Sequence, residues 1–137
     1  MWGNKLHANL HWWNMLRLSD KLLEVYREHG KIIIGVDFDD TIFPYTKYAN
    51  RELINSVVNL LVKVKGKAYI CLYTVSDNQS LKYKVEIMRL NKIEPDYINI
   101  SPIKMGNGQK PFFNILLDDK AGLNEAYKEL LRFKQTS

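Results

Sequence analysis

Cysteine is all but absent from this chain: Cys71 is the only one, so no disulfide can form within it, and its setting in Tyr69-Ile70-Cys71-Leu72-Tyr73 reads as a buried strand position. Long hydrophobic runs are absent too. No stretch of about 18 uninterrupted apolar residues occurs, which excludes a plain membrane-spanning helix, and Met1-Trp2-Gly3-Asn4-Lys5 lacks the basic-then-apolar layout of a secretory leader. The expectation is a cytoplasmic protein with no membrane partner. Neither internal repeats nor low-complexity tracts are visible. His7, His11 and His29 share no metal-ligand spacing with a cysteine or carboxylate, and two imidazoles on one side of a helix do not make a zinc site.

What is present suits one domain. With 137 residues, 46% of them hydrophobic, the chain can fill one sizeable core, and a second domain is not expected. A formal charge of +5 attracts polyanions at long range. Many of the lysines fall on the outer faces of predicted helices, however, where solubility explains them.

Lys31 to Val36 reads Lys-Ile-Ile-Ile-Gly-Val, too short for a typical helix and apolar on both faces, as a central parallel strand covered on either side would be. Residues Lys67 to Tyr73, Tyr97 to Ile100 and Asn114 to Leu117 give three more strands. Between them Leu53, Ile54, Val57, Val58 and Leu61 gather on one helix face, as do Leu81, Val85 and Met88, and then Leu123, Tyr127, Leu130 and Leu131. Gly30 and Gly66 each stand where a left-handed residue would close a helix before a strand. The order strand, helix, strand, helix, strand, loop, strand, helix predicts a layered α/β fold with right-handed crossovers. Residues 1–30 fall outside that alternation. They form a predicted helical extension, with a helix over Leu16 to His29 and all three tryptophans, Trp2, Trp12 and Trp13. Packing across the sheet is the simpler expectation for it, and self-association through an exposed aromatic patch is the alternative.

The chemistry concentrates in Gly35-Val36-Asp37-Phe38-Asp39-Asp40-Thr41-Ile42. Three carboxylates directly after a buried strand are costly unless they bind a cation, accept hydrogen bonds or reach solvent, and ligands of open parallel sheets bind beyond such strand ends. Ile115-Leu116-Leu117-Asp118-Asp119-Lys120 repeats the arrangement on another strand. If the two strands are neighbours, Asp37 and Asp119 meet around one hard cation, and magnesium held by few carboxylates favours a phosphate substrate. Asp37 and Asp39 leave an extended backbone on the same face, with Phe38 turned into the core. One carboxylate can then attack phosphorus while the other handles protons. Thr74, ending the second strand, can donate to a phosphoryl oxygen, and Lys104 or Lys110 in the Gly-rich connection can hold the phosphate.

In these residues the sequence resembles the haloacid-dehalogenase-like (HAD) phosphohydrolase superfamily. The family's Asp-x-Asp-x-Thr motif stands as Asp37-Phe38-Asp39-Asp40-Thr41, its strand-end threonine as Thr74, and its closing acidic pair as Asp118-Asp119. The Lys110-Pro111 step before the last strand looks like small members of the family and favours Lys110 over Lys104. The resemblance covers about residues 31 to 133. It implies a three-layer α/β/α Rossmann-like parallel sheet over residues 31–137. Asp37 becomes nucleophile and metal ligand, and Asp39 general acid/base with its backbone carbonyl on magnesium. Asp119 is then the main ligand of the acidic pair, with Asp118 tuning it. Thr74 and Lys110 bind the phosphoryl group, and Thr41 braces the loop. Asp40 fills a variable place and receives no direct role.

Only 32 residues separate Thr41 from Thr74 and 35 separate Thr74 from Lys110, so no cap domain fits between the motifs. The implied activity is magnesium-dependent hydrolysis of a phosphomonoester, with a sugar phosphate, nucleotide or polynucleotide end as substrate. Selectivity would then come from short loops such as Phe43 to Asn50, where Phe43, Tyr45 and Tyr48 line the entrance or pack in the turn, or from a large substrate that covers the site. Two other classes compete. A phospho-receiving signalling module carries its acidic pair on the first strand and its lysine after the threonine strand, unlike the order here. A non-catalytic interaction protein would have less reason to keep every carboxylate.

Overall fold

The computed structural model describes residue 13, residues 15–103 and residues 111–137. Helix α1 (Leu18–His29) precedes β1 (Ile32–Val36), followed by α2 (Arg51–Val64), β2 (Ala68–Leu72), α3 (Asn78–Leu90), β3 (Tyr97–Ile98), β4 (Ile115–Leu117) and α4 (Leu123–Thr136). The strands form a four-stranded parallel sheet in the order β3-β2-β1-β4. With its flanking helices the sheet makes a compact three-layer α/β/α domain, with no cap among the described residues, consistent with a Rossmann-like, HAD-like fold. No helix among the described residues is long and apolar enough to cross a membrane.

β1 is central and buried along its whole length, which its β-branched run anticipates. Ile32, Ile34, Val36 and Phe38 join Val57, Leu61, Met88, Leu130 and Phe133 in one apolar cluster. On the opposite face Ile33 and Cys71 are fully buried as well. Burial pushes the Cys71 thiol up to about 12, helped by the negative charge of Asp96. The second face also contains a close approach. The Phe113 ring occupies the space where a side chain at residue 35 would stand, with ring carbons 2.5 Å from an ideal Cβ on Gly35. Tyr73 meets the same ring edge-on at 5.7 Å.

The helices begin and end as local chemistry dictates. Asn50 caps α2 by accepting from the Leu53 amide at 3.0 Å, and Asp77 caps α3 by accepting from Ser80 at 2.7 Å. The start of α1 is held from another helix: Glu129 of α4 accepts from the Ser19 amide at 3.1 Å and pairs with Arg17 at 2.7 Å. The Arg17 guanidinium, first by its hydrogen bond, keeps the Glu129 carboxyl below its usual range. Trp13 packs against the core cluster, with the Lys21 ammonium 5.9 Å from its ring centre. Trp2, Trp12, His7 and His11 lie outside the described residues.

Gly30 closes α1 in the left-handed conformation expected of it, at φ 81°, its amide bonded to the Tyr26 carbonyl. Gly66 does not behave this way. It sits inside a 3₁₀ turn, Lys65–Lys67, and is not among the positive-φ residues. The chain leaves α2 by tightening its last turn rather than by reversing hand. Asn114 extends the β1–β4 pairing beyond β4 itself, its side-chain oxygen accepting from the Ile33 amide at 2.7 Å while its own amide donates to the Ile33 carbonyl at 2.8 Å.

Gly35→Ala drives a methyl into the Phe113 ring and is expected to destabilise the domain by about 1–3 kcal/mol, as overpacking does. Urea titration checks this, and Phe113→Ala in the same background should recover part of the loss. Wild-type stability in the single variant would show that the ring swings aside without cost.

Candidate functional site

The pairing register decides which acids meet. Val36 of β1 pairs with Leu117 of β4, so Asp37 and Asp118 leave neighbouring strand ends side by side, and the Asp37 amide donates to the Leu117 carbonyl at 2.9 Å. Asp119 follows one residue later. Carboxylate oxygens of Asp37, Asp118 and Asp119 all lie within 4.8 Å of one another, with Asp37 and Asp118 half-buried and Asp119 exposed. Both members of the acidic pair therefore enter the cluster, Asp118 as the direct cross-strand neighbour of Asp37.

Electrostatics marks the cluster as short of positive charge. Loss of solvation, then the Asp118 charge, raises Asp37 from 3.8 to about 6 against a hydrogen bond from the Phe38 backbone, with smaller upward contributions from Asp119 and Asp39. Asp119 is raised as well, by burial first and by Asp118 next. A set of oxygen donors that repel one another at this spacing can coordinate a hard divalent cation, which would remove the repulsion.

The loop after Asp37 is built around it by two other residues. Thr41 is fully buried, and its hydroxyl accepts from the Asp119 amide at 3.0 Å, tying the two acidic segments together. Asp40 takes the left-handed conformation at φ 58°, which aspartate tolerates better than most residues. Its carboxylate accepts from the amides of Tyr45 and Thr46 at 2.8 and 3.0 Å and from the Thr46 hydroxyl at 2.6 Å. The Thr46 hydroxyl leads in holding Asp40 below the usual carboxylate range. Asp40 is thus the organiser of the loop. Phe38 is buried and stacks on Phe43 at 5.6 Å, so Phe43 belongs to the core, whereas Tyr45 and Tyr48 are 73% and 83% exposed.

Asp39 stands apart from the carboxylate trio. Its side chain lies 3.8 Å from the ammonium of Lys84, a residue of α3 with only 11% of its side chain exposed. Lys84 donates to the hydroxyls of Thr74 at 3.2 Å and Ser76 at 2.8 Å, and it lies 5.4 Å from the centre of the Phe38 ring. Thr74 is thus linked to Asp39 through Lys84. Its own amide is taken by the Asn99 side chain at 2.8 Å. Lys84 has a sequence signal: it falls in the inward stripe Leu81, Lys84, Val85, Met88, where an apolar residue is the rule. Lys104 and Lys110 lie outside the described residues.

Two openings flank these groups. A cleft of about 540 Å³ beside Asp119 is lined by Thr46, Tyr48, Asn50, Lys120 and Asn124 among others. A smaller one, about 390 Å³, is lined by Tyr73, Thr74, Val75, Ser76 and Asn99. The chain matches no family model, no curated protein and no solved structure. The fold and the cluster nonetheless define a class, a small parallel α/β domain whose strand-end aspartates can coordinate a divalent metal.

The raised Asp37 carboxyl has a consequence for stability without metal. Its folded-state value of about 6 stands above the ordinary 3.8, so its contribution is favourable below pH 4 and is lost as pH rises through about 6. Asp37→Asn should therefore melt higher than wild type above pH 6 in metal-free buffer, with the two curves converging near pH 4. Adding magnesium should raise the wild-type melting temperature more than that of the variant. Parallel melting curves at every pH would contradict the assignment.

Proposed function

We propose that this protein is a magnesium-dependent phosphomonoesterase that works through a phosphoaspartyl intermediate on Asp37. The convergence of Asp37, Asp118 and Asp119 within 4.8 Å carries the reading, because three repelling carboxylates suit a hard cation that also meets a phosphate. The order of the motifs in the sequence supports it, as does the resemblance to HAD phosphohydrolases that they carry. Residues 31–137 supply all of this chemistry, and residues 1–30 are an extension to it.

Asp37, Asp118 and Asp119, with the Asp39 carbonyl, would hold the ion. Magnesium supplies charge neutralisation between the carboxylates and the phosphoryl oxygens. In the first step an Asp37 oxygen bonds to phosphorus, the bond from phosphorus to the ester oxygen breaks, and Asp39 gives its proton to the departing alcohol. In the second step water attacks phosphorus, Asp39 takes its proton, and the bond to Asp37 breaks to release inorganic phosphate. Thr74 donates to a phosphoryl oxygen throughout. Thr41 and Asp40 keep the loop in place between the two steps.

With no cap among the described residues to close over it, the site relies on its open flanks for selectivity. The cleft of about 540 Å³ beside Asp119 is within the size range of small-molecule sites and sets polar side chains such as Asn50 and Asn124 into a mostly apolar lining, which suits a leaving group with both hydroxyls and a ring face, such as a sugar or nucleoside. A phosphate-ended polynucleotide is the larger alternative. The basic balance of +5 is compatible with it.

Asp37→Asn is expected to abolish phosphate release while leaving the far-ultraviolet circular dichroism unchanged. Sugar phosphates, nucleotides and phosphate-ended oligonucleotides, tested with magnesium and with chelator, define the substrate. Turnover at the wild-type rate in Asp37→Asn, or full activity in chelator, would rule out the mechanism.

A further inference from the structure

Lys84 is the least expected charge in the domain. It lies on α3, inside the apolar stripe, and is buried to 8% residue exposure. Burying an ammonium is costly unless its charge is met. Among the described residues its two hydrogen-bond partners are neutral hydroxyls, and its ion-pair partner Asp39 stands at 3.8 Å, beyond hydrogen-bond reach and partly exposed. The cation is therefore solvated by hydroxyls and paired only loosely with a carboxylate.

The two hydroxyls point to what completes it. Thr74 and Ser76 both accept from Lys84, and their oxygens lie 3.3 Å apart. A hydroxyl that accepts keeps its own hydrogen to give, and if one of the pair donates to the other, the second hydrogen remains free. The opening of about 390 Å³ between Tyr73, Thr74, Val75, Ser76 and Asn99 gives solvent a route to these groups. The Phe38 ring beneath the ammonium helps fix it in place.

We propose that Lys84, with the hydroxyls of Thr74 and Ser76, forms the oxyanion-binding site of this protein, and that Lys84 rather than a lysine of the 104–110 connection is the phosphoryl-binding cation. The inference rests on the hydrolase reading for its choice of ligand, a tetrahedral phosphoryl group. It adds two residues that the motif order does not point to. Lys84 enters from the helix after the threonine strand, so one short segment, Thr74 to Lys84, carries the whole subsite.

The test is binding of inorganic phosphate to the full chain with magnesium, followed by calorimetry, alongside kcat and KM on the best ester found. Lys84→Met is expected to weaken phosphate binding at least tenfold and to lower kcat/KM by about 10²–10³, the scale on which a preorganised oxyanion donor acts. Ser76→Ala should weaken phosphate several-fold, and Lys84→Arg should restore binding in part. Each loss should exceed those caused by Lys104→Met and Lys110→Met. The reverse ranking overturns the proposal. If Lys84→Met does not fold, Ser76→Ala and Lys84→Arg decide: wild-type phosphate affinity in both also overturns it. Lys84-dependent phosphate binding in a protein that hydrolyses no ester would retain the subsite and remove the hydrolase reading. Turnover that needs Asp37 but not Lys84 would do the opposite.

Discussion

The pairing of β1 with β4 is the constraint on which the rest depends. Parallel register sets Val36 beside Leu117, and the next residue on each strand is an aspartate. Two like charges are thereby fixed side by side by backbone hydrogen bonds that neither side chain can relax. Everything around them offsets that arrangement. The apolar packing of β1 supplies the stability that holds the strands in register, and Thr41 fastens the second acidic segment to the first loop. Asp40 holds the following turn by accepting from the Tyr45 and Thr46 amides. The strain is electrostatic and local, which is how a folded domain can carry a carboxylate cluster able to coordinate a divalent cation without losing its core.

Much of this was legible in the residues. A β-branched run ending in Asp37-Phe38-Asp39 is readable because strand burial and terminal charge are opposites, and their junction has few explanations. The same holds for Leu117-Asp118-Asp119. Which of the two closing acids stands beside Asp37 was not legible, since it depends on register: pairing, not sequence order, puts Asp118 directly opposite Asp37. The part played by Asp40 was also hidden. A third acid beside two others reads as more of the same, and only its left-handed backbone and its bonds to Tyr45 and Thr46 distinguish it.

Lys84 was hidden for a different reason. Leu81, Val85 and Met88 define the inward face of α3, and a lysine among them looks like a residue whose long stem lies along the helix with its charge in water. Here the stem is covered and the charge ends on two hydroxyls from another segment. That contact joins residues eight and ten positions apart and depends on the turn between β2 and α3. Gly66 is the converse case, a residue whose local signal was strong but whose chain had room to leave the helix by another route.

Cys71 adds a property of another kind. A thiol fully buried in the strand beside β1, with its ionisation pushed to about 12, offers almost no thiolate to an oxidant or alkylating reagent while the sheet is closed. As the lone sulfhydryl in the sequence, it makes modification an all-or-none record of whether the centre of the molecule has come apart. The speed of its labelling, followed by mass spectrometry, thus becomes a clock for opening events.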